Sequence, residues 1–216
     1  MNLLLALVLA GCAEDVSAGK TDAVVNAPSS APAPAPVQAN APAADAQEVP
    51  IDVAQSDIHA LGAKVTTTET VRFSKWSGVV QVAGGKVQAV HVDVDVTSLD
   101  AGKPKLNGHL NSPDFFDTEK YPKATFQSTN IQEGSTEAGM THTVTGDLTM
   151  RGVTKSVTFP MKLAVADDRV TGETEFAINR LDWNIKYPGA PDNLIQDKVV
   201  LTVKLVAPNP NTTAAR

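Results

Sequence analysis

The side chains able to do chemistry are few and scattered. The four histidines, His59, His91, His109 and His142, stand far apart. None has a second histidine at the HxH or HExxH spacing that would let two imidazoles grip one zinc ion. No metal site is expected. Asp93 and Asp95 are separated by one residue, which puts both carboxylates on one face of a strand and raises paired general acid–base chemistry. Val92, Val94 and Val96 face the opposite way, so a solvated outer face explains the two acids better. Asp182 beside Arg180 reads as an ion pair or turn. No GxSxG, P-loop or GxGxxG occurs. Without a nucleophile–base set, no catalytic residue and no cofactor is expected. The default reading is a binding protein and not an enzyme.

The single cysteine, Cys12, excludes an internal disulfide framework and any CxxC site. Its surroundings give it another use. Residues 3–10 read LLLALVLA, an apolar run far shorter than the roughly 20 residues a spanning helix needs. It suits the apolar region of a secretory signal. Leu9-Ala10-Gly11-Cys12 then resembles a bacterial lipoprotein box. That resemblance implies a signal peptide at 1–11, cleavage before Cys12, and acyl chains on the new N-terminus. Several acyl chains make a stable anchor, because each buried CH₂ contributes about 0.8 kcal/mol. Ala13 in place of Asp points to the outer membrane, with the protein facing the periplasm.

Residues 12–50 read as a disordered tether. They are rich in Ala and Pro, with APSSAPAPAP at 27–36, and lack large apolar residues to offset ordering entropy. Alternating Ala-Pro favours extended polyproline II. Five acids (Glu14, Asp15, Asp22, Asp45 and Glu48) against Lys20 give this stretch −4 of the net −6. The acidity therefore lies mostly outside the folded part. The negative balance also argues against nucleic acid as a partner.

From Ile51 onward the pattern is strands. Val90, Val92, Val94 and Val96 alternate with polar residues, as do Val144, Leu148 and Met150. Val157, Phe159, Met161, Leu163 and Val165 form a long stripe. Val170, Phe176 and Ile178, then Val199, Leu201, Val203 and Leu205, complete the set. Gly84-Gly85, Arg151-Gly152, Asp167-Asp168 and Tyr187-Pro188-Gly189 punctuate them. Such spacing predicts an all-β sandwich or barrel. A barrel of about eight strands encloses either a packed core or a ligand cavity, and periodicity does not choose between them. Residues 100–122 break the alternation. Ser112-Pro113-Asp114 predicts a helix start, with Phe115 and Phe116 in a short lid over one end.

Four segments carry a family resemblance: RFSKWSG at 72–78, HLNSPDFFDTEKYP at 109–122, GDLTMRGVTK at 146–155 and RLDWNIKYPGAPDNLIQDKVV at 180–200. Together they resemble the YceI-like family of polyisoprenoid-binding, lipocalin-like periplasmic proteins, over residues 51–207. The resemblance implies an antiparallel, extended β-barrel of about eight strands, with one or two short helices near one end. It implies a long amphiphilic ligand, such as an isoprenoid quinone or related lipid, and turns the undecided interior into a cavity. Relatives often carry an Arg-Asp pair where Leu106 and Asn107 stand, which points here to a neutral head group or none. The inward stripe Phe126, Leu148, Phe159 and Phe176 is assigned to the tail pocket. Phe115, Phe116 and Trp183 join it, with packing of the barrel end as their alternative role. Residues 208–216 are expected to be a flexible tail. The expected partners are a long-chain isoprenoid or fatty lipid, the membrane through acylated Cys12, and a second copy of the chain if it forms a homodimer. The competing function is an envelope interaction module whose barrel is filled. An enzyme acting on a lipid head group would need His109 or Asp182 to be indispensable for turnover.

Overall fold

In the computed structural model, residues 15–28 and 46–212 are described. Cys12 and the apolar run at 3–10 lie outside them. The strands in chain order are β1 Thr21–Asp22, β2 Val24–Asn26, β3 Gln47–Pro50, β4 Asp57–Ala63, β5 Thr68–Phe73, β6 Trp76–Ala83, β7 Lys86–Asp95 and β8 Leu99–Asp100. They continue with β9 Lys123–Glu133, β10 His142–Met150, β11 Val153–Val165, β12 Arg169–Asn179, β13 Gly189–Ala190, β14 Asn193–Leu194 and β15 Lys198–Pro208. Among the described residues there is one α-helix, α1, spanning Pro104–Asn111.

The long strands form one antiparallel sheet in the order β3-β6-β7-β9-β10-β11-β12-β15-β4-β5-β8. The sheet curls into a half-barrel. Period-two alternation gives the sheet one apolar face, and the curl brings that face together: Val90 and Val92 of β7, Val157 and Phe159 of β11, and Phe176 and Ile178 of β12 all meet in the larger of its buried clusters. The polar positions face out. His91 Nε2 and Asp93 Oδ2 lie 2.8 Å apart on the outer side of β7, with Asp93 well exposed. Residues just after β3 tie two distant strands together: Ile51 N–H donates to Gly78 O at 2.9 Å, and Asp52 N–H donates to Val206 O at 2.8 Å.

Two glycines in the recognised segments answer to geometry. A Cβ on Gly146 would lie 2.4 Å from Phe126 Cζ and 2.6 Å from Gln127 O. The ring of Phe126 can lie inward only because that position is bare. A register shift between Thr145 and Gly146 accommodates it. Gly152 (φ +71°) follows Arg151 (φ +50°) in the turn between β10 and β11. Two consecutive positive φ values define the tight hairpin turn whose twist matches the flanking strands.

The helix is displaced from its expected place. Ser112 ends α1 instead of starting a helix: its N–H and hydroxyl both donate to His109 O, at 3.1 and 2.7 Å. The residue before a proline avoids the helical region, so Pro113 stops the helix at Ser112 (ψ 168°). Pro104 supplies the favoured first-turn proline.

The segment read as a disordered tether is in part structured. β11 and β12 pair only between Lys162–Val165 and Val170–Glu173 and splay apart beyond that. The N-terminal strand fills the splay: β1 pairs with Phe176 and Ala177 of β12, and β2 pairs with Ser156–Thr158 of β11. β3 pairs with Val79–Val82 of β6. Small alternating residues suffice here because the sheet supplies the backbone partners, so Ala23 and Val25 turn onto the core. The expected C-terminal tail is also partly tied down, since β15 includes Pro208 and Asn209 N–H donates to Asp168 O at 3.1 Å.

Candidate functional site

The interior is aromatic at its centre. Phe159 and Phe176 stack with ring centroids 4.2 Å apart and planes 7° from parallel. Phe126 leans on Phe159 at 5.7 Å. Leu148 packs against the same cluster. The four side chains of the predicted inward stripe thus come together, carried by β9, β10, β11 and β12. β-Alternation places Leu148, Phe159 and Phe176 an even number of residues from other inward positions of their strands, while in β9 the register shift opposite Thr145 and Gly146 lets both Phe126 and Ile131, five residues apart, face the core.

Trp183 belongs with this group and not with the barrel end alone. It is completely buried in the same cluster, and its indole N–H donates to Leu148 O at 3.1 Å. A buried indole needs a partner for its one donor, and the backbone of β10 provides it. Trp183 is held by a short 3-10 turn, Arg180–Trp183, in which Asn179 Oδ1 accepts from Leu181 N–H at 3.0 Å.

Phe115 and Phe116 separate from the stripe. Phe115 is buried in a second cluster with Leu110, Leu99, Val96 and Ile185, and Phe116 packs against it. This cluster caps the barrel end that carries α1. His109 and Tyr187 join Phe115 in an aromatic trio, with centroids 4.8, 4.9 and 5.4 Å apart. His109 Nε2 lies 3.0 Å from Asp114 Oδ2 at the exposed rim of this cap. The Tyr187 role was hidden in the sequence because Tyr187-Pro188-Gly189 reads as a turn. The fixed spacing of His109 and Phe115 on a short helix and its exit was the available signal.

Arg180 is 4% exposed; of the two expected roles of Asp182 beside it, ion pair or turn, the structure shows the turn, and Arg180 pairs with Asp197 instead. Its Nε donates to Gln196 O at 3.0 Å, its Nη1 to Ile185 O at 2.6 Å, and its Nη2 contacts Asp197 Oδ1 at 3.1 Å. Burial lowers its pKa and the Asp197 charge partly offsets this. The rigid guanidinium fork organises the Ile185–Asp197 loop across the barrel end. On the outside, Asp57 lies 2.7 Å from Arg72 Nη1 and 2.6 Å from His59 Nδ1. Burial pushes the Asp57 carboxyl up, but hydrogen bonds from Arg72 and His59 outweigh it and bring the group below its ordinary value of 3.8.

Among the described residues, no three His, Cys, Asp or Glu side chains are grouped so as to hold a metal ion. Among them, no helix is long and apolar enough to cross a membrane.

A curled antiparallel sheet with an aromatic interior and a helix-bearing cap defines a small β-barrel protein whose candidate site is inside. The chain belongs to the YceI-like family: the YceI-like domain matches residues 50–207. Protein YceI of Shigella flexneri is 38% identical over 117 residues, which is 51% of this chain and 59% of that protein. A UPF0312 protein of Vibrio campbellii is 42% identical over 93 residues, 40% of this chain and 46% of that one. These alignments span at most about three-fifths of the curated relatives. Among solved structures, Burkholderia cenocepacia BcnA superposes with a TM-score of 0.65 at 28% identity, covering 73% of this chain and 99% of BcnA. A polyisoprenoid binding domain from Saccharophagus degradans superposes at 0.60 and 19% identity, covering 74% and 98%, which shows a shared fold.

Proposed function

We propose that this protein binds a long-chain isoprenoid or similar amphiphilic lipid inside its barrel, without transforming it, in the bacterial cell envelope. The observation that carries this reading is the convergence of Phe126, Leu148, Phe159, Phe176 and Trp183 on one buried apolar cluster, in a family with a polyisoprenoid-binding fold relative. Such an interior shields a tail from water at roughly 25 cal/mol per Å² of apolar surface removed. Only orientation and shielding are required, so no acid–base pair is needed. Acyl chains on Cys12 hold the barrel on the periplasmic side of the outer membrane, near its lipid source.

One observation favours a second reading. Phe159 and Phe176 lie face to face at 4.2 Å, so the interior of this conformation is occupied by its own side chains. A tail enters only by turning rings aside. If they do not turn, the barrel is a scaffold and its surface binds an envelope partner. Native mass spectrometry of gently purified protein, followed by lipid extraction, separates the two. A stoichiometric long-chain species supports lipid binding. A protein that arrives empty and takes up neither a quinone nor a polyprenol is the filled scaffold.

A further inference from the structure

We propose that residues 15–28 are a clamp that holds one corner of the barrel, Val65 and Leu194, against the lipid bilayer. The proposal rests on the lipoprotein reading of Cys12 and concerns what the fold does with that anchor.

The docked segment is fastened along its length. Lys20 Nζ lies 2.7 Å from Glu175, and Lys198 Nζ lies 2.6 Å from Asp22. Ala23 N–H donates to Ala177 O at 2.9 Å, and Val16 N–H donates to Gln196 Oε1 at 3.2 Å. Thr21 Oγ1 donates to Glu137. The turn before β1 is set by Ser17, whose N–H and hydroxyl both donate to Asp15 Oδ1, at 2.9 and 2.7 Å. Val16 of this turn lines one depression with Leu61, the register partner of Val200 on the outside of the wall. There Ala177 and Val200 are opposite one another in register, on the face away from Phe176, yet they are only 1% and 0% exposed. Outward apolar residues of a barrel wall stay buried only when something covers them.

Docking shortens the leash. Two residues separate Cys12 from Asp15, and the three Cα-to-Cα steps between them reach at most about 11 Å. A free tether from Cys12 to Gln47 would reach about 110 Å in extended polyproline II. The anchor therefore fixes which face of the barrel meets the membrane.

That face carries exposed aliphatic side chains. Asp15 and Val16 share a depression of about 740 Å³ with Leu61 and Thr66. Val65, next to Thr66, is 39% exposed, and Leu194 is 50% exposed. Val65 N–H donates to Leu194 O at 3.1 Å, so the two form one corner, reinforced by the bridge between Lys64 and Ile195. Ile195 also packs on the Phe115 cluster, so the corner belongs to the barrel end that carries α1. A bilayer is the partner this fits: two aliphatic side chains insert shallowly, and the acyl anchor supplies the affinity they lack. Val53 is an internal comparison. It is 38% exposed but precedes β4, whereas Val65 follows it. The seven residues of β4 rise roughly 23 Å, which puts the two valines at opposite ends of the barrel.

The test uses the full chain with acylated Cys12, in phosphatidylethanolamine–phosphatidylglycerol vesicles containing a nitroxide-headgroup lipid. Val65→Cys, Leu194→Cys and Val53→Cys are each labelled with an environment-sensitive fluorophore, since acylation removes Cys12 from labelling. Quenching several-fold stronger at 65 and 194 than at 53 is expected. Inserting about twenty Gly/Ser residues between Glu14 and Asp15, a flexible coil, leaves the docked strand intact and is expected to abolish the difference while vesicle binding persists. Equal quenching at all three sites, with the acyl mass present on Cys12, overturns the clamp. A difference that survives the insertion also overturns it, because the corner would then orient itself. Absence of acyl mass on Cys12 overturns the lipoprotein reading, and the clamp with it.

Discussion

Replacing Phe159 with alanine tests whether the interior is a tail pocket or a filled core. The ring is 6% exposed and lies between Phe126 at 5.7 Å and Phe176 at 4.2 Å. Truncating such a ring removes its transfer free energy and leaves a cavity that the stiff barrel wall cannot close. The lipid-free protein should lose about 3–5 kcal/mol. Part of this is the stacked contact with Phe176, worth roughly 0.5–1.5 kcal/mol beyond area. Urea unfolding of the stripped protein measures the loss, and a value below about 1.5 kcal/mol would mean the ring is not packed as described. The informative step is to repeat the titration with a long-chain polyprenol. At one hundred times its Kd a ligand stabilises the wild type by about 2.7 kcal/mol. If Phe159 touches the tail, losing that contact weakens binding about tenfold, and the variant's gain shrinks by about 1.4 kcal/mol. An equal gain in both proteins would refute the assignment of Phe159 to the tail.

Two further perturbations follow from the geometry. Gly146→Ala drives a methyl into Phe126 and into the backbone oxygen of Gln127. Overpacking of this kind costs about 1–3 kcal/mol, and Phe126→Leu should recover only part of it, because the backbone contact remains; a double-mutant cycle by thermal unfolding reads the split. Asp57→Asn removes a carboxylate whose pKa is lower folded than its ordinary 3.8. A depressed carboxylate contributes stability above the unfolded value and loses it as pH falls through the folded one. The stability gap between wild type and variant should therefore be full at neutral pH and close as pH drops below 3.8, and a gap that widens on acidification would contradict the Arg72 and His59 assignment.

The convergence of the candidate site's side chains was largely legible because β-structure has a period of two. Phe126, Leu148, Phe159 and Phe176 could be placed on one side of their strands from alternation, and the interior then brought them together. Trp183 was harder. It sits in a short turn, where no periodicity says which way a side chain points, and its place in the interior depends on the donor bond to Leu148 O. The helix start was misplaced by nine residues because two prolines, Pro104 and Pro113, each fit a first turn. Both follow an extended residue, and they differ only in what comes after: the chain continues as a helix from Pro104 but only as a turn from Pro113. Arg180 chose Asp197 over Asp182 because the loop after the 3-10 turn folds back over it, a long-range event that local spacing does not encode.

The local code settled what each stretch prefers: strands where apolar residues alternate, turns where Gly and Asp allow positive φ, a helix stop before Pro113. It also settled the family, since the motifs at 109–122 and 146–155 carry positions such as Gly146, where no larger residue fits. Tertiary structure decided what those preferences could not reach. Residues 15–28 have too few apolar side chains to fold alone, and their composition matches disorder. They become a strand only because β11 and β12 splay and leave unpaired backbone groups between them. Backbone hydrogen bonds are indifferent to side-chain identity, so that kind of order is written in the gap and not in the segment that fills it.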